Sequence, residues 1–293
     1  MNTKKADEPG KKGILLKLPG RVARGILRDN CDGHAAEIAF FFLFALFPCL
    51  LSLTTLLAYL PVPDLFLVLM KIMGRFIPGT VLFLVKDNLR TLVTVQQGKL
   101  LSFGILLALW TASNAVISVQ TALNVAFDTE EQHPYWKVRA ISVLLVVCFT
   151  FFIVVSLLLL IFGPLIGSWI ASLAGLGNAF TIAWNIMRWP VTLCFMTAAL
   201  SALYRYAPAI RLSWRETAPG AVSATGAWVA VTLVFSCYVN IFGSYDKTYG
   251  SIGAVIALLV WMYASAFVIL LGGEINARLM ELHRERDSGI KTA

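Results

Sequence analysis

The chain has 293 residues, of which 58% are hydrophobic and 14% are charged, and its mean hydropathy is +0.78. A soluble domain of this length is ordinarily much less apolar. We therefore predict a membrane protein. The net charge of +8 suits nucleic acid, acidic lipid or the cytoplasmic loops of a multi-span protein, and the positions of the charges must decide among them.

The first part of the chain, residues 1–34, is predicted to be a basic cytoplasmic segment. Its stretch KKGILLKLPGRVARGILRDN has Arg21, Arg24 and Arg28 on one helical face, which is typical of a helix lying on the membrane surface. No apolar region followed by a small-residue cleavage site occurs here, so we predict no cleaved signal peptide. The first spanning helix would itself direct insertion.

A helix needs about 20 apolar residues to cross a bilayer. Six segments qualify, namely residues 36–60, 100–127, 139–162, 181–206, 216–242 and 251–280. The predicted fold is therefore an all-α polytopic bundle with six transmembrane helices. Its membrane domain covers residues 35–282, and residues 283–293 form a polar cytoplasmic tail.

Between the first two spans, residues 63–98 are predicted to form an extracytoplasmic insert. A single span here would place Lys71, Arg75 and Pro78 at membrane depth. The charges fall instead on one face of each of two helices broken at Pro78, so we expect amphipathic helices in the interface.

The basic residues set the predicted orientation. Placing the N-terminus inside puts seventeen Lys and Arg on the inner side and six on the outer side, so we predict that both termini are cytoplasmic. Topology thus accounts for the net charge, and no nucleic-acid partner is expected. The expected partners are the lipid bilayer and its anionic headgroups, and homo-oligomerisation stays open.

The second span carries seven hydrogen-bonding side chains in the stretch WTASNAVISVQTALN. A 100° wheel puts all of them in one half of the helix: Thr111, Ser113, Asn114, Ser118, Gln120, Thr121 and Asn124. Lipid cannot bond to a carboxamide, so this half must face other helices or a water-filled cavity. Two interpretations explain the pattern: the side chains form hydrogen bonds between packed helices, or they line a polar path.

Ionisable residues strengthen the case for a path. Glu37 lies at the inner end of the first span, Arg188 lies within the fourth, and Glu274 and Arg278 are spaced i, i+4 in the sixth. A charge at bilayer depth costs at least ~2.5 kcal/mol and calls for a partner or water. The candidate path or polar core therefore comprises Asn114, Ser118, Thr121, Asn124, Glu37, Arg188, Asn240, Glu274 and Arg278.

No cofactor, metal or catalytic site is expected. The three histidines are isolated, and the five cysteines occur singly without C-x-x-C spacing. No Walker A sequence occurs, so we expect no transport driven by ATP bound to this chain.

Four stretches carry a family resemblance: AAEIAFFFLFALFPCLLSL, LWTASNAVISVQTALNVAFD, YRYAPAIRLSWRETAPGAVSATGAW and YGSIGAVIALLVWMYASAFVILLGGEINARL. In order and spacing they resemble the YihY/virulence factor BrkB family of bacterial inner-membrane proteins, over roughly residues 20 to 282. The resemblance implies six membrane helices and no agreed activity; members have been linked to serum resistance, transport or lipid export. It supplies no established site residues. An older family label is ribonuclease BN, but this sequence lacks the clustered carboxylates or histidines that such an active site needs.

Two hypotheses follow. The first is transport or export of a small solute, ion or lipid across the bacterial inner membrane, through a polar path between the second, fifth and sixth spans. The second is a non-transporting envelope scaffold or resistance factor that acts through protein partners.

Overall fold

A computed structural model describes residues 11–57, 98–173, 178–242 and 246–287. In these ranges the chain is helical and contains no strand. The helices are α1 (Lys11–Arg28), α2 (Cys31–Leu57), α3 (Gly98–Ala126), α4 (Tyr135–Leu173), α5 (Asn178–Tyr206), α6 (Trp214–Phe242) and α7 (Asp246–Asp287). The predicted amphipathic helices of residues 63–98 lie outside the described residues, apart from Gly98, where α3 begins.

Six of these helices are long and apolar enough to cross a membrane. Their candidate spans are Cys31–Ser52, Ser102–Ala126, Tyr135–Ser156, Ile182–Tyr206, Trp214–Val239 and Gly253–Arg286. The predicted all-α fold with six spans is confirmed. The last helix continues to Asp287, so the first residues of the segment predicted as a tail are helical.

The chain divides into two compact units, and the division falls inside α2 and α3. The smaller unit, residues 41–113, contains the second part of α2 and the first part of α3. Here Gly104 allows close packing, because a side chain at this position would meet the Ser52 hydroxyl. That hydroxyl donates a hydrogen bond to the carbonyl oxygen of Pro48 at 2.7 Å.

The larger unit comprises residues 1–40 and 114–293. Within it α4 packs on α5, α5 on α6, α6 on α7, and α1 on α7. Its fully buried apolar positions are mostly small residues, among them Ala35, Ala115, Ala221, Ala224 and Ala266. Lipid tails are as apolar as leucine, so membrane helices associate through close backbone packing and hydrogen bonds, which small residues permit.

The crossing of α6 and α7 shows this packing most clearly. A β-carbon at Gly220 would collide with the carbonyl oxygen of Gly272, and one at Gly272 would meet the carbonyl oxygen of Gly220. The Asn276 side chain of α7 accepts a hydrogen bond from the Gly220 amide at 2.7 Å and donates to the Thr217 carbonyl at 3.1 Å. Proline at 219 cannot donate a backbone bond, so this carboxamide reinforces the turn that Pro219 weakens.

Candidate functional site

Over residues 111–124 of α3, both the polar and the apolar half of the helix are largely buried. On the polar half, five of the seven side chains are buried, while Asn114 is partly exposed and Thr121 is exposed. On the apolar half, Val119 and Leu123 are also buried, and Leu123 lies against Gly273 of α7. The polar half contacts α2 and α4 instead.

Ser118 joins α3 to α2. Its hydroxyl donates to Oε1 of Glu37 at 2.9 Å and lies 3.1 Å from the carbonyl oxygen of Asn114. The Glu37 side chain is 50% exposed, and its second oxygen lies 3.7 Å from Nδ1 of His34. Ser118 is eight residues from the end of α3, which corresponds to about 12 Å of helix rise. The carboxylate therefore lies beside the inner part of α3, six residues from the start of the candidate span Cys31–Ser52, and it is open on one side.

Asn114, one turn earlier on the same face, joins α3 to α4. Its Oδ1 accepts a hydrogen bond from Arg139 at 2.7 Å, and the Arg139 guanidinium also donates to the Tyr135 hydroxyl at 2.7 Å. Asn114 is twelve residues from the end of α3, or about 18 Å of helix rise. The guanidinium thus extends along α3 towards the interior of the span.

Arg139 is a site residue that sequence reasoning missed. By sequence it counted only as an inner cation near the start of a span, where arginine ordinarily reaches back to the headgroups. The available signal was the carboxamide of Asn114 in the preceding span, which needs a hydrogen-bonding partner away from lipid.

Gln120 makes a closed contact between α3 and α4. Its Oε1 accepts a hydrogen bond at 3.1 Å from the hydroxyl of Ser142, which is fully buried. This buried bond between neutral side chains stabilises the packing of α3 on α4.

Asn124 holds the loops at the end of α3. Its Oδ1 accepts a bond from the amide of Ala209 at 2.7 Å, and its Nδ2 donates to Glu131 at 3.2 Å. Burial alone would raise the pKa of Glu131, but hydrogen bonds from His133 and Asn124 outweigh it and hold that pKa below its usual range. Asn124 therefore ties the α3–α4 loop to the α5–α6 loop.

Glu274 and Arg278 meet as predicted and belong to a larger cluster. The buried Arg278 guanidinium donates to Glu274 at 3.1 Å, to Asp29 at 2.6 Å and to Glu281. Only 5% of the Arg278 side chain is exposed, against 4% for Asp29 and 0% for Glu274. One guanidinium thus serves three carboxylates. We call these four residues the terminal cluster.

Helix α1 covers the terminal cluster. A side chain at Gly25 would collide with the Glu274 carboxylate and would lie 2.8 Å from Nε of Arg278, so only glycine permits the approach. Arg21 forms two bonds of 2.7 and 2.8 Å with the carboxylate of Glu285, and its hydrogen bond with Glu285 raises the pKa of Arg21.

Arg28, in the last turn of α1, links the cluster to the α3–α4 loop. It contacts Asp29 at 2.6 Å and Asp128 at 3.2 Å. Its bond with Asp29 raises the pKa of Arg28 further above neutrality.

Arg188 lies in a different part of the larger unit, where α5 packs on α4. Its guanidinium is 5.9 Å from the ring centre of Trp189, and the neighbouring Trp184 donates to the Gly163 carbonyl at 2.6 Å. The side-chain amide oxygen of Asn185, Oδ1, is buried here without a hydrogen-bond partner among the described residues. The remaining predicted residue, Asn240, lies in α6, and its side chain is outside the described part of the structure.

The comparisons with known proteins bear on the family. A family model described as virulence factor BrkB matches residues 22–293. The chain belongs to the virulence factor BrkB family. The resemblance read from the four stretches is thus confirmed.

Curated BrkB-family relatives agree with this assignment. A protein of Bacillus subtilis (strain 168), YfkH, whose name describes it as ribonuclease-like, is 41% identical over 85% of this chain and 90% of its own length. A UPF0761 membrane protein of Azotobacter vinelandii (strain DJ / ATCC BAA-1303) is 29% identical over 89% of this chain and 62% of its own. The UPF0761 membrane protein YihY of Shigella boydii serotype 4 (strain Sb227) is 29% identical over 59% of this chain and 57% of its own.

The chain therefore spans about three fifths of the UPF0761 relatives, and nearly all of YfkH. No solved structure matches it. With its six apolar spans, this BrkB-family member is a multi-pass protein of the bacterial inner (plasma) membrane.

Proposed function

We propose that this protein moves a polar or charged substrate, whether a solute, an ion or a lipid, along the α3 face that carries Asn114, Ser118 and Thr121. One observation supports the proposal most. Two groups of opposite charge, Glu37 and Arg139, contact successive turns of this face within the candidate spans.

Packing alone does not require these charges. The neutral pair of Gln120 and Ser142 already joins α3 to α4, whereas each ionised group inside the membrane costs at least ~2.5 kcal/mol. Ionisable residues in spans are by default candidates for substrate or ion pathways. The half-exposed Glu37 and the exposed Thr121 leave the face open on one side.

The contacts of α3 support a proposed route different from that of the sequence hypothesis. The described contact of α3 with α7 is apolar, between Leu123 and Gly273, while the polar contacts of α3 run to α2 and α4. We therefore place the route beside α2 and α4. The terminal cluster, covered by α1, would close the end of the bundle where α1 meets α7, and Arg188 would be a separate contact for an anionic group.

Cysteine accessibility tests the route directly. Single cysteines replace Ser118, Thr121 and, as a control, Val119 in a full chain whose five native cysteines are alanine, in intact membranes. We expect a small water-soluble maleimide to label the exposed position 121 and position 118, whose side chain adjoins the half-exposed Glu37, and to leave position 119 unlabelled. Ser118 and Val119 are equally buried, so the contrast between them reports the hydration of the polar face. An unlabelled position 118 in a protein that elutes as folded would contradict the proposal.

The alternative is a non-transporting scaffold. The dense bonds between helices, such as those of Asn276 and of Gln120, favour it, since they make a rigid bundle. If the protein is a scaffold, a cysteine at position 118 should stay unlabelled by the maleimide. The ribonuclease-like name of the Bacillus subtilis relative describes that protein. In the described part of this chain, no three His, Cys, Asp or Glu side chains are grouped to hold a metal ion.

A further inference from the structure

The charges on the α3 face also indicate what chemistry it would recognise, and this inference rests on the proposed function. We propose that the face binds a zwitterionic group, with a primary ammonium against the Glu37 carboxylate and a phosphate or carboxylate against the Arg139 guanidinium. The two charges belong to one site, because Ser118 and Asn114, which hold them, are four residues apart on one helix face.

The two charges are anchored close together on α3. The Cβ atoms of residues at i and i+4 of a helix are about 5–6 Å apart, and each charge lies one hydrogen bond away from its anchoring side chain. The anchoring groups, the hydroxyl of Ser118 and the carboxamide of Asn114, are both neutral. A phosphoethanolamine or amino-acid group carries its opposite charges a few bonds apart, so one such ligand would meet both charges.

Each end of the site matches its half of the ligand. The Arg139 guanidinium is a planar donor fork, which suits the paired oxygens of phosphate or carboxylate. The Glu37 carboxylate only accepts hydrogen bonds, and an ammonium group only donates them. Because Glu37 is half-exposed, a ligand can reach it from the side of the bundle.

A zwitterion also has the lower electrostatic cost of entry. A ligand carrying both charges enters the membrane region with no net charge, which lowers the cost of transfer. The same chemistry is available from a phospholipid headgroup and from a soluble metabolite, so the test includes both sources.

The test measures binding to the purified full chain. Native mass spectrometry compares the retention of phosphatidylethanolamine and phosphatidylglycerol with identical acyl chains, since the second has the phosphate but no ammonium. Equilibrium dialysis with radiolabelled O-phosphoethanolamine gives the soluble arm. The variants are Glu37→Gln and Arg139→Gln, with Glu130→Gln in the exposed α3–α4 loop as the matched control for loss of a carboxylate.

We expect the wild-type chain to prefer the ammonium-bearing ligand in at least one arm. Glu37→Gln keeps an oxygen to accept the Ser118 bond but loses the charge, so it should weaken binding of that ligand about tenfold and leave phosphatidylglycerol unchanged. Arg139→Gln should weaken both lipids. Glu130→Gln should match wild type.

The inference is overturned if wild type retains phosphatidylglycerol as well as phosphatidylethanolamine and does not bind O-phosphoethanolamine. It is equally overturned if a folded Glu37→Gln chain keeps the full preference. Neither result touches the proposed function, which depends on labelling at position 118. A hydrated face without zwitterion preference would mean transport of another substrate class.

Discussion

Arg278 stands at the centre of the terminal cluster and carries most of its electrostatic balance. We expect Arg278→Gln to destabilise the protein by about 3–5 kcal/mol, because it takes the guanidinium from the buried Glu274 carboxylate and leaves the buried Asp29 with Arg28 alone. The stability of Arg278→Lys should lie between those of the wild type and Arg278→Gln, since a lysine restores the charge but not the planar guanidinium. Thermal unfolding in detergent micelles measures both.

The matched control is Arg24→Gln, which removes an exposed guanidinium of α1 that bonds only weakly to its own helix, at 3.3 Å from the Gly20 carbonyl. It should change stability by less than about 0.5 kcal/mol. Equal melting temperatures for Arg278→Gln and Arg24→Gln would show that the terminal cluster contributes no net stability.

At this scale the sequence revealed some partners and hid others. The pairing of Glu274 with Arg278 follows from i, i+4 spacing on one helix. The contact of Asp29 with Arg278 joins residues 249 positions apart and depends on how α1 lies on α7, which no local pattern encodes. Arg139 was hidden for a similar reason, because its side-chain direction is set by Asn114 on a neighbouring helix.

At the scale of elements, the α6–α7 crossing depends on two glycines. We expect Gly220→Ala to destabilise the protein by about 1–3 kcal/mol, because the new methyl group would collide with the backbone carbonyl of Gly272, and backbone cannot rotate aside. The measurement is again thermal unfolding in micelles.

Gly226→Ala provides the comparison in the same helix. Nothing lies within 4 Å of a β-carbon at Gly226, so alanine there should be neutral or stabilising by up to about 1 kcal/mol. If the two substitutions change the melting temperature equally, the close crossing of α6 and α7 does not depend on glycine at position 220.

The positions of the helices were predictable, whereas their extensions were not. Long apolar runs define the six spans because bilayer thickness sets their length. Helix α7 continues past its apolar run because Glu285 pairs with Arg21 of α1, and that tertiary contact gives the polar turns a reason to stay helical.

At the scale of the whole molecule, the six candidate spans of the described residues predict that the segments before the first span and after the last lie on the same side of the membrane. The distribution of lysine and arginine predicts the cytoplasmic side. We expect a green fluorescent protein fused to the C-terminus to fluoresce and alkaline phosphatase at the same place to be inactive. Active phosphatase would reverse the predicted orientation.

The docking of α1 on α7 has a consequence for synthesis. The ribosome makes Asp29 and Gly25 before the six candidate spans and Arg278 only with α7, so α1 waits through the synthesis of the intervening helices before its partner exists. Completion of that contact therefore marks a chain in which α7 has been made. A protein truncated before α7 would leave α1 undocked, exposing a basic amphipathic helix that a quality-control protease can recognise.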